Sequence, residues 1–317
     1  MTTLDNIDLF LPTLETHKND PILIVVHKDP DLDAIGSATA LAIQLHKRGY
    51  NCKIWVTERI PEDYEFLPGL HFIERKYPKS FKEKLVIALD SSDYERIRDN
   101  HNLDITTPLL NIDHHSDNSF FGSANIVWQM SSVGEMLATL FKHINWELDK
   151  ETATCLYTAI VFDTGQFSYS NTTQNTFLTA ADLLRYDIEH HKIIEILTEN
   201  KTPAYYQQIQ NALNNMIYNE DYKYIYTVLP HCRENGGNDI INFVRQRKNC
   251  DICLVFRQGP HDIVKISIRS KTDFDVAKFA AKFNGGGHKK AAGIQLEGDI
   301  DEIRKQVITA LEHDLIR

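Results

Sequence analysis

Histidine and aspartate side chains follow directly after the first apolar run of the sequence, PILIVV at residues 21–26. His27, Asp31 and Asp33 lie close together in this stretch, and we expect Asp29 between them to face the solvent. Carboxylates packed this closely resist joint ionisation unless a positive charge lies among them. Imidazoles mixed with carboxylates suit manganese, iron, cobalt or zinc better than calcium. The stretch therefore predicts a site for a divalent cation.

Further residues of the same two types follow later apolar runs. Asp90 ends KLVIALD, the triplet Asp113, His114 and His115 follows TPLLNI, and Asp163 follows AIVF. The carboxyl ends of parallel strands form one crevice, so we expect these side chains to converge there. One carboxylate can bridge two ions about 3.5–4 Å apart, which is the separation used in phosphoryl chemistry. The pattern favours a site that holds two cations.

Each of these residues alone has a simpler interpretation. Aspartate and histidine at strand ends are often helix caps or turn formers. A double histidine is also common at a surface, and His190 and His191 on a charged helix are interpreted in that way. The metal-site prediction therefore depends on several such residues meeting at one edge of one sheet.

A basic stretch lies in the second half of the chain. Residues 257–290 contain eight Lys or Arg and three Asp, in a chain whose net charge is −10. The glycines Gly285–Gly287 let backbone N–H groups approach a phosphate, and arginine adds a bidentate contact. The same glycines could instead simply end the helix DVAKFAAKF. The sequence GGGH lacks the GK[ST] ending of a phosphate loop, which disfavours triphosphate hydrolysis of that kind.

Alternating apolar strands and helices predict an α/β fold with two domains. The first is expected to hold a parallel sheet with helices on both faces, and the second to be a smaller α/β domain. The predicted boundaries are residues 1–184 for the first domain, 185–202 for a helical linker and 203–317 for the second domain.

Composition limits the class of protein. The chain is 42% hydrophobic and 25% charged, as globular proteins are, and no apolar stretch is long enough to cross a bilayer. A net negative charge argues against a protein that coats duplex DNA. The five scattered cysteines and the absence of a secretory signal predict a cytoplasmic location. CDIC at residues 250–253 is interpreted as an ordinary apolar segment, because no second CxxC completes a zinc site.

The motifs, taken in order, resemble those of a known family. HKDPDLD, ALDSSD, NIDHHSDN and VFDTGQF resemble the four motifs of the DHH phosphoesterase family. VKISIRSK and GGGHKKAAG resemble the substrate-binding domain of the DHHA1 type that follows in that family. The resemblance implies a DHH catalytic domain and a DHHA1 domain, and it covers most of the chain.

The resemblance also implies roles for individual residues. One cation would be held by His27, Asp31 and Asp90, and a second by Asp33, Asp90, His114 and Asp163. The metal that the resemblance implies is Mn²⁺. Asp113 would orient His114, and His115 would lie against the scissile phosphate. In the second domain, the substrate would be gripped by Arg269, Ser270, Gly285, Gly286, Gly287 and His288.

Within the family, the two-domain layout most resembles the branch of nanoRNases and pAp phosphatases. It implies a hydrolase that cleaves very short oligoribonucleotides such as pApA to mononucleotides and also dephosphorylates pAp, 3′-phosphoadenosine-5′-phosphate. Two alternatives stay open: a phosphatase that acts mainly on pAp, and a nucleotide-binding module without catalysis. The family often forms dimers, so a homodimer is also expected.

Overall fold

The computed structural model describes residues 4–77, 80–98, 106–230 and 237–316. The chain forms two compact units, Met1–Asn200 and Lys201–Arg317. The predicted linker thus falls almost wholly within the first unit. Its helix packs there because the Ile193 side chain is buried in that unit's core.

The first unit is built on a six-stranded parallel sheet, in which the order of strands is β3-β2-β1-β4-β5-β6. The strands are β1 (Pro21–Val26), β2 (Asn51–Trp55), β3 (Ile73–Glu74), β4 (Leu85–Leu89), β5 (Leu109–Asp113) and β6 (Ala124–Val127). The helices are α1 (Phe10–Thr16), α2 (Leu32–Lys47), α3 (Glu95–Arg98), α4 (Val133–His143), α5 (Lys150–Asp163), α6 (Gln174–Leu184) and α7 (His190–Thr198), with short 3-10 turns at Ile7–Leu9, Glu62–Tyr64 and Leu70–Phe72.

Both faces of this sheet are buried. On β1, Ile22 and Ile24 pack in the core formed with α2, α4 and α5, whereas Leu23 and Val25 pack in a smaller cluster with Ile97 of α3. Continuous apolar strands are typical of parallel sheets covered on both sides. The predicted α/β fold is confirmed, with most of the helical mass on one face.

Two glycines bring the helices that carry the site close together. A Cβ on Gly36 of α2 would lie 2.8 Å from the Cys155 carbonyl oxygen of α5, and one on Gly134 of α4 would lie 2.6 Å from the Cβ of Ala159. Neither distance is possible between real atoms without a shift of the helices. Glycine therefore sets the spacing of α2, α4 and α5.

The second unit is built on a six-stranded mixed sheet, in which the order of strands is β11-β12-β10-β9-β8-β7 and only β8 and β9 run parallel. Its strands are β7 (Ile217–Asn219), β8 (Tyr224–Leu229), β9 (Ile252–Gln258), β10 (Ile263–Ser270), β11 (Gly286–His288) and β12 (Ala291–Glu297). Its helices are α8 (Pro203–Asn214), α9 (Gly237–Val244), α10 (Val276–Ala281) and α11 (Ile300–Leu315), with a 3-10 turn at Pro260–Asp262.

Two of the three glycines, Gly286 and Gly287, lie in this sheet, at its edge, and the contact of Gly285–Gly287 with a phosphate stays a prediction. The helix α10 ends at Ala281, and Gly286–His288 then pair with β12 as an edge strand. A Cβ on Gly285 would lie 2.3 Å from the Gly293 carbonyl oxygen, so the close approach of two backbones requires glycine at that position.

The two thiols of CDIC lie side by side in the second unit. The Sγ atoms of Cys250 and Cys253 are 3.5 Å apart, both side chains are buried, and neither forms a disulfide. Cys232 lies outside the described residues. Among the helices that are described, none is both long and apolar enough to cross a membrane.

Candidate metal centre

The predicted ligands all lie where strands or helices end. His27, Asp90 and His114 directly follow β1, β4 and β5, which are neighbours in the sheet. Asp31 is the N-cap of α2, which begins at Leu32. Asp163 is the last residue of α5. The structure brings these carboxylates and imidazoles together at the carboxyl edge of the first sheet.

Asp90 lies at the centre of the cluster. Its Oδ2 is 3.4 Å from His27 Nε2, and its Oδ1 is 3.4 Å from His114 Nε2 and 3.6 Å from His115 Nδ1. The residue is 2% exposed, and Oδ1 accepts no hydrogen bond within the described structure. A buried carboxylate oxygen without a donor is costly unless a cation binds it. The two oxygens thus face two different sets of ligands.

Backbone carbonyls fix the ring orientation of two histidines. The Nδ1 of His27 donates to the Lys28 carbonyl oxygen at 2.7 Å, and the Nδ1 of His114 donates to that of Met130 at 3.2 Å. Because a carbonyl can only accept, each neutral ring carries its lone pair on Nε2, which faces Asp90. This is the usual arrangement of a metal-binding imidazole.

Asp33 is held by the N-terminus of α4. Its two oxygens accept hydrogen bonds from the backbone N–H groups of Val133 at 2.8 Å and Gly134 at 2.9 Å, and Oδ1 also accepts from Ser37 Oγ at 3.2 Å. The carboxylate thereby lies 3.8 Å from His114 Nε2. Donors at a helix N-terminus favour the negative charge.

Asn171 positions Asp163. The Nδ2 of Asn171 donates to the carbonyl oxygens of Ser131 and Asp163, both at 3.0 Å, and lies 3.5 Å from Asp163 Oδ2. That same Oδ2 is 3.8 Å from His114 Nε2. Asp163 therefore lies beside the Asp33–Asp90–His114 set.

Within the described residues, three sets of three potential ligands share Asp90, and in each set single ligand atoms lie within 4.8 Å of one another. Two of them belong to the predicted ligand sets: His27, Asp31 and Asp90, and Asp33, Asp90 and His114. The third is Asp90, Asp113 and His115. The carboxylate and imidazole ligand atoms, together with the Asp90 oxygen that accepts no hydrogen bond, fit two divalent cations bridged by one carboxylate.

The charges of the cluster are balanced only in part by its histidines. Burial, followed by the charge of Asp90, raises the pKa of Asp33 well above its usual value, and burial raises the pKa of Asp163 to about 7. Burial would also raise the pKa of Asp90, but the neighbouring rings of His114 and His27 hold it well below the usual value. Burial would lower the pKa of His114, but Asp90, Asp163 and Asp33 raise it well above 6.5. The cluster without a cation therefore retains protons that a metal would displace.

Asp113 contacts His115, which corrects the expectation that it orients His114. Its Oδ1 accepts from His115 Nδ1 at 2.8 Å, and its Oδ2 accepts from Asn118 Nδ2 at 2.6 Å. Burial would raise the pKa of Asp113, but the hydrogen bond and charge of His115 lower it. The pair fixes the His115 ring, whereas His114 is held by the Met130 carbonyl.

Two buried polar residues that support the site were not predicted from the sequence. Asn118 donates to Asn111 Oδ1 at 2.9 Å and to the Ser91 carbonyl oxygen at 3.2 Å, which ties the turn after β5 to the turn after β4. Glu135 does not complete a capping box with Ser132. Its carboxylate instead accepts from Ser131 N–H at 3.2 Å. A polar residue inside an apolar stretch, such as Asn111 in LLNID, is the signal that points to this network.

In the second unit, the predicted substrate residues divide between the two faces of the sheet. Arg269 on β10 and His288 on β11 both pair with Ala291 of β12, so they lie in one row on one face. Ser270 projects to the opposite face, where its Oγ donates to the Thr272 carbonyl oxygen at 3.0 Å. It is 3% exposed, so its hydroxyl does not belong to this row.

The comparisons agree with this architecture. Residues 21–160 match the N-terminal domain of the DHH family, and residues 221–313 match the DHHA1 domain. A Thermus thermophilus protein named bifunctional oligoribonuclease and PAP phosphatase NrnA is 30% identical, over 94% of this chain and 91% of its own. A Bacillus subtilis protein of the same name is 27% identical, over 87% of this chain and 90% of its own.

A solved structure extends the likeness to the fold. An exopolyphosphatase-related protein from Bacteroides fragilis has a TM-score of 0.87 and 25% identity, covering 99% of this chain and 96% of that one. With both domains matched in order and a relative at 30% identity along nearly the whole length, this chain belongs to the DHH family, in the form that carries a DHHA1 domain.

Proposed function

We propose that the protein is a hydrolase that uses two divalent cations, most favourably Mn²⁺, to cleave very short oligoribonucleotides to mononucleotides and to dephosphorylate pAp. The observation that carries this proposal is Asp90, whose two oxygens face two different sets of ligands. The names of the Thermus and Bacillus relatives support the substrate class. When bound, the cations would supply an activated water and offset charge on the phosphoryl group.

His115 would stabilise charge on the phosphoryl oxygens. Its Nδ1 donates to the Asp113 carboxylate, which fixes the ring and leaves Nε2 for the phosphoryl group. Asn118 keeps that carboxylate in place through the hydrogen bond at 2.6 Å. In this proposal His115 contacts the substrate, and Asp113 is a positioning residue.

The second unit would hold the nucleotide. Arg269 and His288 lie in one row, where a guanidinium and an imidazole can bind one phosphate together. The backbone of Gly285, Gly286 and Gly287 beside His288 stays part of the proposed grip. Ser270 would contribute through its backbone position only, because its hydroxyl is used within the turn.

The test is a product assay on purified protein with added Mn²⁺. Substrates are a ribodinucleotide, pApA, pAp, pyrophosphate and a long RNA, at equal concentration. Asp90→Asn is expected to lose all hydrolysis. The matched control is Asp29→Asn, at the same edge of the sheet but exposed, and it is expected to keep full activity.

The outcomes separate the alternatives. Faster turnover of pAp than of dinucleotides would make the protein mainly a pAp phosphatase. Nucleotide binding without turnover in Mn²⁺ would make it a binding module and contradict the proposal. Rapid internal cleavage of the long RNA would contradict the short-substrate specificity.

A further inference from the structure

The sequence CDIC places two thiols three residues apart at the start of β9. Cys250 lies just before the strand, Asp251 bends the chain, and Cys253 is the second residue of β9. The bend brings the two Sγ atoms to 3.5 Å. A disulfide needs about 2.05 Å between its sulfurs, so a shift of about 1.5 Å would join them. Because Cys250 precedes the first pair of the ladder between β8 and β9, this shift breaks no ladder pair.

The Cys250 sulfur lies next to the surface. Residues 246–249, directly before it, are exposed, whereas Cys250 is 3% exposed and Cys253 is fully buried. A contact fixes the exposed segment, because the Tyr218 hydroxyl donates to the Asn249 carbonyl oxygen at 2.6 Å. A small oxidant little larger than water therefore reaches Cys250 before Cys253.

Lys271 provides a positive charge beside the two thiols. Its Nζ donates to the Arg247 carbonyl oxygen at 2.9 Å, and its backbone N–H donates to the Asp251 carbonyl oxygen at 2.8 Å. The hydrogen bond from Cys253 lowers the pKa of Cys250, as does the charge of Lys271, against burial and the charge of Asp251. The same hydrogen bond and burial raise the pKa of Cys253. Since the thiolate is the reactive form of cysteine, Cys250 is the more reactive of the two.

The two cysteines of the first unit have a different environment. Burial raises the pKa of both Cys52 and Cys155 to about 12. Each thiol donates to a backbone carbonyl oxygen, that of Ala42 or that of Pro68. Cys52 is 8% exposed, more than Cys250, yet its thiol stays protonated. The first unit therefore supplies a comparison in which exposure and thiolate character point in opposite directions.

We propose that Cys250 and Cys253 form a dithiol site that hydrogen peroxide oxidises reversibly to a disulfide, with Cys250 as the thiol that reacts first. The Cys250 thiolate attacks one peroxide oxygen, so that an S–O bond forms, the O–O bond breaks and hydroxide leaves. The Cys253 sulfur then attacks the Cys250 sulfur, and the S–O bond breaks. The departing hydroxide takes the Cys253 proton and becomes water.

The atoms and electrons of this sequence balance. Two thiols lose two electrons and two protons, and one peroxide becomes two waters. A dithiol reductant reverses the bridge by exchange and is itself oxidised to a disulfide. Such a site needs one pair of thiols only, so the lack of a second CxxC, which disfavours zinc, does not affect it.

The test treats purified Cys232→Ser protein with hydrogen peroxide, since Cys232 is a further thiol outside the described residues. After unfolding and alkylation, trypsin cleavage at Lys248 and Arg257 releases one peptide, residues 249–257, that holds both thiols. This peptide should resist alkylation, be lighter by two hydrogen atoms, and return to the dithiol form in dithiothreitol.

The thiols of the first unit serve as internal controls in the same sample. Cys52 and Cys155 should be oxidised at least about tenfold more slowly than the CDIC pair, because their thiols are protonated. An unbridged peptide would overturn the proposal. Oxidation of Cys52 as fast as that of the pair would overturn it too, because exposure alone would then decide the rate.

Two variants assign the order of the steps. In Cys253→Ser, where a hydroxyl still donates to Cys250, the reaction should stop at the sulfenic acid of Cys250, which dimedone labels. In Cys250→Ser, Cys253 should stay an unlabelled thiol. Equal labelling of the two variants would overturn the assignment of Cys250 as the first thiol to react. The assay needs neither nucleotide nor turnover, so its result is independent of the proposed function.

Discussion

Asp33 accepts a hydrogen bond from the Gly134 backbone N–H at 2.9 Å, across 101 residues of sequence. Both of its oxygens are bound to the N-terminus of α4, so this ligand is fixed before any cation arrives. Asp163, by contrast, has one long contact from Asn171 at 3.5 Å. The two carboxylates therefore differ in how much the fold depends on them.

Replacing these two aspartates should affect stability in opposite ways without metal. Asp33→Asn turns one acceptor into a donor that faces a backbone N–H, so the free energy of unfolding should fall by about 1–3 kcal/mol. Asp163→Asn removes a repelled carboxylate and should leave stability unchanged or higher. Urea unfolding in EDTA measures both. An equal loss in the two variants would contradict this description of Asp33.

Gly134→Ala should destabilise the protein because its Cβ would lie 2.6 Å from that of Ala159. We expect a loss of about 1–3 kcal/mol, together with weaker metal binding, since α4 carries the donors to Asp33. The double variant Gly134→Ala, Ala159→Gly should recover much of both. Thermal unfolding and Mn²⁺ titration report the two effects. Failure of the second substitution to recover either would show that the contact is not the cause.

His115→Ala should lower kcat by about 100- to 1000-fold and keep metal affinity, because the ring is proposed to act on the phosphoryl group. Asp113→Asn should lower kcat by about tenfold or more through loss of ring orientation. Steady-state kinetics on pAp and a separate Mn²⁺ titration separate the two effects. If Mn²⁺ binding falls as much as kcat does, His115 is a ligand and not a phosphate contact.

Metal should stabilise the protein more at high pH. The pKa of Asp163 is raised to about 7 by burial, and the pKa of His114 is raised as well, so the folded protein without metal binds more protons than the unfolded chain. The stability of the metal-free protein should therefore fall as pH rises through this range. Metal binding should become stronger over the same range, because the metal no longer has to displace protons. The Tm increase on adding Mn²⁺ should therefore be larger at pH 8 than at pH 5.5. A larger increase at pH 5.5 would contradict the proton count.

The centre of the first sheet was predictable because β1, β4 and β5 are short apolar runs, each followed by aspartate or histidine. Asp31, which was predicted as a ligand, also caps α2 through its side chain. The orientation of Ser270 was available from the alternation in ISIRS: with Ile266 and Ile268 facing the core, Ser270 faces it too.

The supporting contacts of the site were not predictable in the same way. The bond from Gly134 to Asp33 joins α4 to α2, and only the packing of the helices defines it. Asp113 could orient either adjacent histidine by sequence alone. The choice of His115 depends on the Met130 carbonyl, which already holds His114.

The central claim is that Asp90 is shared by two cations, and Mn²⁺ stoichiometry combined with electron paramagnetic resonance tests it most directly. The wild-type protein and Asp29→Asn should each bind two Mn²⁺ per chain with spin coupling between them, and Asp90→Asn should lose the coupling and at least one ion. One ion in the wild-type protein, or two uncoupled ions that persist in Asp90→Asn, would contradict the account.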